Sequence, residues 1–137
     1  MEMSRGVTII KLLIILVVII LIIAIAYIGL GITQQQSRDV RRMSDMNALE
    51  KALALYQTSN DTFPISPNGT AIDGTDLVSK ELLISESMTE VPKDPLHPEY
   101  SYTYSTNLTG TDFTIKFCLE GSSIPGYTTG CNNYITP

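Results

Sequence analysis

The sequence predicts an α+β chain in which one long N-terminal helix, membrane-spanning in its first half and amphipathic in its second, packs on a small antiparallel sheet. Three patterns carry the prediction: a charge-free apolar run over residues 12–32, apolar side chains at spacings of three and four through residues 40–56, and strict alternation from Tyr100 onward. At 137 residues the chain has room for one small domain beside that apolar run.

The run comes first. As a helix its 21 residues would rise about 31 Å, at about 1.5 Å per residue, which matches the roughly 30 Å hydrocarbon core of a bilayer. A core helix of a soluble protein carries a polar stripe, and this segment carries none. Beyond it Val40, Met43, Met46, Leu49, Leu53 and Tyr56 fall along one side of a helix, with Arg41, Asp45, Lys51 and Gln57 elsewhere on its surface. No proline occurs between Val7 and Thr62, so one helix over residues 7–59 is expected, about 80 Å in length. Gly29 and Gly31 are its weakest points, each about 1 kcal/mol less favourable than alanine.

Ser59-Asn60-Asp61-Thr62-Phe63-Pro64 supplies the stop, because the residue before a proline resists the α conformation. Pro64, Pro67, Asn68-Gly69 and Asp73-Gly74 then mark a loop. Thr75 or Asp76 can cap a short helix over residues 77–83, with Val78 and Leu82 on one face, and Pro92 and Pro95 close that segment. Tyr100, Tyr102 and Tyr104 alternate with Ser101, Thr103 and Ser105. After a turn over residues 107–112, Phe113, Ile115, Phe117 and Leu119 alternate with Thr114, Lys116 and Cys118. These predict two strands of a hairpin, with a third short strand around residues 133–136. The stripe from Val40 to Tyr56 is the natural cover for the sheet's apolar face.

The charge is uneven. Residues 1–59 hold six basic and four acidic side chains, a balance of +2, whereas residues 60–137 hold three basic and ten acidic, a balance of −7. The acidic head would repel nucleic-acid phosphates, so nucleic acid is not an expected partner. Cys118 and Cys131 form an even pair closing a short loop. In a membrane-anchored chain that suggests a disulfide in an oxidising compartment, although two free cytosolic thiols would give the same sequence. Cys118 alternates away from the apolar face, so a bridge would fasten the closing loop over the exposed side or edge of the sheet.

Little here supports catalysis. His97, the single histidine, lies in Pro95-Leu96-His97-Pro98 with no serine or cysteine motif to activate, so the chain reads as a non-enzyme. Asp61, Asp73 and Asp76 carry oxygen ligands, but their spacing is not that of an EF-hand loop, and neither a metal nor another cofactor is implied. Asn60-Asp-Thr, Asn68-Gly-Thr and Asn107-Leu-Thr fit the glycosylation acceptor pattern.

Ser4-Arg5-Gly6-Val7-Thr8-Ile9-Ile10-Lys11-Leu12-Leu13-Ile14 resembles the processing motif of the type IV pilin and pseudopilin family. In that motif a short basic leader ends in glycine, followed by a hydrophobic residue, threonine, two aliphatics, an acid and an apolar run. Leu49 to Tyr56 with Asn60-Asp61-Thr62-Phe63-Pro64 resembles the family's aliphatic helix, tyrosine, turn and aromatic-proline passage. Val91-Pro92-Lys93-Asp94-Pro95 followed by Tyr100-Ser101-Tyr102 is similar to the proline-aspartate-proline and tyrosine element of major-pseudopilin-like heads.

The resemblance implies a leader over residues 1–6, a transmembrane and assembly segment over residues 7–33, and an extracytoplasmic head over residues 34–137 that includes the amphipathic helix of residues 34–59. It implies cleavage between Gly6 and Val7 by a prepilin peptidase, methylation of the new amine of Val7, and assembly through Lys11, Leu12, Leu13 and Ile14. The implied partners are the membrane, other pilin or pseudopilin subunits, and an assembly platform with its motor. The implied location is the cytoplasmic membrane, single-pass with the head outside, then a surface or periplasmic filament. Two positions depart from the pattern. Lys11 stands where the family usually has glutamate, and the usual mid-membrane proline is missing, with Gly29 and Gly31 nearby.

Two other readings remain open at this level. Ala24-Ile25-Ala26 has the form of a signal-peptide cleavage site, but cutting there would leave residues 27–32 as an apolar terminus. A single-pass anchor carrying a binding domain is the other, since basic residues flank the span on both sides: Arg5 and Lys11 before it, Arg38, Arg41 and Arg42 after it.

Overall fold

The computed structural model describes residues 3–137, with side chains described for residues 9–27, 31 and 33–137. The elements run α1 (Met3–Asn60), β1 (Thr70–Ile72), α2 (Leu77–Ile84), β2 (Tyr102–Thr106), β3 (Phe113–Leu119) and β4 (Gly130–Ile135). The class is α+β, as the sequence predicts. The chain forms two compact units, one ending at Gln35 and the other running Gln36–Pro137.

In the first unit, Ile9–Tyr27 is a helix of 19 residues with mean hydropathy 3.5 and no part of it buried, long and apolar enough to cross a membrane. The backbone is helical from Met3, four residues ahead of the expected start at Val7. The side chains of Gly6, Val7 and Gly29 lie outside the described residues.

The second unit is built on four antiparallel strands in the order β1-β2-β3-β4. In β3 every second residue is buried, and Phe113, Ile115, Phe117 and Leu119 face the core with Tyr102 and Tyr104 of β2. Met46, Leu49, Ala52 and Leu53 of α1 and Val78 and Leu82 of α2 join the same cluster. Each fully buried aliphatic or aromatic side chain there contributes about 1.5–3 kcal/mol. Asp76 caps α2 by accepting from Ser79 N–H at 2.9 Å, and α1 ends where Asp61 N–H bonds Gln57 O at 2.8 Å with Asp61 at φ 63°.

Four expectations are corrected. The segment read as loop contains β1, which pairs Thr70 with Tyr104 and Ile72 with Tyr102; three residues are too few for an alternation to be read. Tyr100 lies outside β2, and β4 begins at Gly130 rather than near Asn133, because a bulge opposite Phe117 to Leu119 lets the strand reach back to pair Gly130 with Leu119. Val40, placed on the buried stripe, is 59% exposed, while Asp39 and Arg42 are fully buried.

Candidate functional site

Two features of the chain bear on function, one in each unit. In the first unit Lys11, Leu12, Leu13 and Ile14 are all exposed, as is every described residue from Ile9 to Tyr27. That segment is long and apolar enough to cross a membrane, and water is an unfavourable solvent for a helix apolar on every side.

In the second unit a group of charges joins three separate chain segments. Arg42 projects from α1 into a fully buried position. Its Nε and Nη2 fork onto the two oxygens of Asp94 at 2.8 and 2.9 Å, while Nη1 donates to Asp39 Oδ1 and Glu120 Oε1, each at 2.8 Å. Asp39 also accepts the backbone N–H groups of Glu120 and Gly121 at 3.0 and 2.8 Å. Arg38, half-buried, holds Glu120 from the other side through Nε at 2.7 Å. The Tyr100 ring lies 5.4 Å from the Arg42 guanidinium. Burial works against the charge of Arg42, but its bonds to Asp94, Asp39 and Glu120 outweigh that and raise its pKa above the ordinary value. The hydrogen bond from Arg38 lowers the pKa of Glu120, against a smaller opposing effect of burial. No buried side-chain nitrogen or oxygen among the described residues is left without a partner, so the group meets the condition under which buried charges are tolerated.

The cluster was not foreseen. A signal was present, since Asp39, Arg42 and Met46 continue the spacing of three and four that Leu49 and Leu53 carry, with charge in place of hydrocarbon. A second polar layer lies further along α1, where Tyr102 Oη donates to Asp45 at 2.8 Å. Burial is the main reason the Asp45 and Tyr102 pKa values are both raised. Tyr104 Oη donates to Pro64 O at 2.8 Å.

Other residues singled out in the sequence serve local structure. Asp73 accepts from Thr75 N–H and Oγ1 at 2.7 Å and from Asp76 N–H at 3.1 Å, and Asp76 accepts from Asp73 N–H and from Ser79. Asp76 thus caps α2, and Asp73 holds the turn that leads into it. His97 is exposed, with Ser101 Oγ 3.5 Å from its Nδ1. Asn60 donates to Tyr56 O, and Asn107 braces its own turn through Thr111.

Cys118 of β3 and Cys131 of β4 are joined, with 2.04 Å between the sulfurs and 13 residues of separation. Cys118 alternates away from buried Phe117 and Leu119, as expected, but Cys131 lies inside β4, so the bridge joins two paired neighbouring strands and not a closing loop.

No protein-family model, curated protein or solved structure matches the chain. Function is therefore argued from its own residues. Among the described residues there is no group of three or more histidine, cysteine, aspartate or glutamate side chains placed to hold a metal ion.

Proposed function

We propose that this chain is a non-catalytic structural subunit of a type IV pilus or a type II secretion-like pseudopilus, stored in the membrane and polymerised through its N-terminal helix. The observation that carries the reading is positional. The leader-like Ser4-Arg5-Gly6-Val7-Thr8 stands directly before the part of α1 that is apolar and exposed on every side, Ile9–Tyr27. α1 continues from that span to Asn60, and its last part supplies Met46, Leu49 and Leu53 to the core of the head.

In this reading a prepilin peptidase removes residues 1–6, Val7 becomes the methylated N-terminus, and the head lies outside the cytoplasmic membrane. The Cys118–Cys131 bridge supports an oxidising location for it. The apolar segment exchanges lipid for the helices of neighbouring subunits, so its surface never meets water. Extraction from lipid is strongly uphill, so a motor and platform must drive it. The heads then face outward and carry any specificity.

Intact mass of the protein from its own membranes tests the proposal. A chain beginning at methylated Val7, with the leader retained when prepilin peptidase is deleted, is the expected result. A chain beginning at Tyr27, or a head digested by protease only after the cytosol is opened, would overturn it. Lys11 favours a second reading, a single-pass anchor carrying an extracytoplasmic binding domain, because a cation in the apolar segment opposes packing against identical copies. That reading predicts an unprocessed chain.

A further inference from the structure

Lys11 is the single charged side chain between Arg5 and Arg38, and it lies on a helix exposed on all sides. In a bilayer its long stem lets the ammonium reach the headgroup layer from near the end of the span. When apolar helices close around it in a bundle that route is lost, and an unpaired buried ammonium is strongly disfavoured.

Sister copies do not supply the counter-charge. The chain has no acidic residue between Glu2 and Asp39, and removal of residues 1–6 takes Glu2 away. Asp39 is fully buried, its oxygens taken by Arg42 and by the N–H groups of Glu120 and Gly121. Asp45 is engaged by Tyr102, and the first exposed acid on α1 is Glu50. Even Asp39 lies 28 residues beyond Lys11, whereas the charge-free run holds 21 residues. A parallel copy displaced that far would carry its apolar segment wholly past that of its neighbour, and the contact that drives packing would vanish. In closer registers the Lys11 side chains of neighbouring copies repel.

Resting on the subunit reading above, we infer that Lys11 is a heterotypic assembly contact. Its ammonium pairs with a carboxylate in the apolar helix of a second, different membrane-inserted subunit, within about one helical turn of the depth of Lys11. The same charge rejects partners that lack the carboxylate, other copies of this chain included.

Carbodiimide coupling tests the pairing. The reagent adds to a carboxylate, a lysine amine in contact attacks the activated carbonyl, the urea leaves, and an amide forms with loss of a proton. The full chain is reconstituted in phosphatidylcholine vesicles with either its K11E or its K11Q variant, each first shown to insert, and treated with a membrane-permeant carbodiimide. The peptide linked through Lys11 is expected at about tenfold higher yield with K11E than with K11Q, and equal yields overturn the inference. Coupling is then repeated on filaments sheared from native cells. A link from Lys11 to the apolar helix of a different chain supports the inference. A link to another copy, or a filament made of this chain alone, overturns it and leaves the subunit reading standing. Absence of the chain from every filament overturns both.

Discussion

Replacing Arg42 by methionine removes the guanidinium at the centre of the buried ion group and keeps an unbranched apolar stem that reaches only as far as the position of Nε. Arg42 makes four hydrogen bonds to three carboxylates, and Arg42, Asp39 and Asp94 are all buried. Breaking a buried pair by deleting one partner costs about 3–5 kcal/mol, because the other charge stays behind without compensation. Asp94 loses both its guanidinium contacts and keeps one donor, the Leu96 N–H at 2.9 Å, which argues for much of the penalty. Asp39 keeps its two backbone donors and Glu120 keeps Arg38, so the expected loss is at the lower end, about 3 kcal/mol. A domain of this size has about 5–15 kcal/mol in total, and the urea midpoint should fall by about 1–3 M for a slope of about 1–3 kcal/mol/M. The assay is urea unfolding of the full chain in detergent micelles, followed by near-ultraviolet circular dichroism of its seven tyrosines, with no tryptophan to interfere. The triple variant R42M/D39N/D94N should recover part of the loss: it leaves no buried charge unpaired, but the amide at position 39 has one oxygen where the carboxylate has two for the N–H groups of Glu120 and Gly121. An R42M midpoint indistinguishable from the native one would refute the reasoning, because it would mean that the carboxylates are solvated.

Acid should weaken the head through Glu120. The Arg38 bond lowers its folded pKa below the ordinary 4.5, so its stabilisation is complete above that value and lost as pH falls through the folded pKa. E120Q should flatten the decline in urea midpoint below about pH 4.5, and an unchanged slope would count against the ion group. Asp45 acts in the opposite sense, since burial raises its pKa and protonation on acidification relieves it. Reduction of Cys118–Cys131, or its replacement by two serines, should cost about 3 kcal/mol for a loop of this length, read as a lower thermal midpoint. Gly110 sits at φ +66°, and a Cβ there would lie 3.0 Å from the carbonyl oxygen of Phe63. G110A should therefore lower the same midpoint by an amount equivalent to about 1–3 kcal/mol of strain.

The elements legible in the sequence were those whose period repeats several times. The apolar run, the stripe from Met43 to Leu53, and β3 with its four alternating core residues each offered enough repeats to fix both type and face. β1 offered three residues and no repeat, and its existence depends on a pairing with β2 that lies some thirty residues away in sequence. The ion group was hidden for a related reason. Asp39 and Arg42 occupy core positions on α1, but a charge at such a position reads as surface unless its partners are known. Those partners, Asp94 and Glu120, lie 52 and 78 residues from Arg42. The Pro92-Lys93-Asp94-Pro95 passage drew attention to Asp94 without giving its role. The bridge was legible as a pair because only two cysteines exist, and the sheet determines which strands it joins.

An apolar contact in place of the ions would hold the helix with comparable strength, so the group calls for an explanation other than stability. The stripe that packs α1 on the sheet is nearly self-similar. Met46, Leu49 and Leu53 repeat at three and four, and a slide of one or two turns would still put hydrocarbon against hydrocarbon. Arg42 removes that freedom, because its planar fork meets both oxygens of Asp94 while a third nitrogen reaches Asp39 and Glu120. A slide of one turn would bury the guanidinium without partners. Our hypothesis is that the ions set the register of α1 against the loop at Asp94 and the end of β3 at Glu120. The triple variant, which leaves no buried ion pair to set the register, should then show doubled amide resonances along β3. A single set at native positions would mean that the apolar stripe alone fixes where the helix sits.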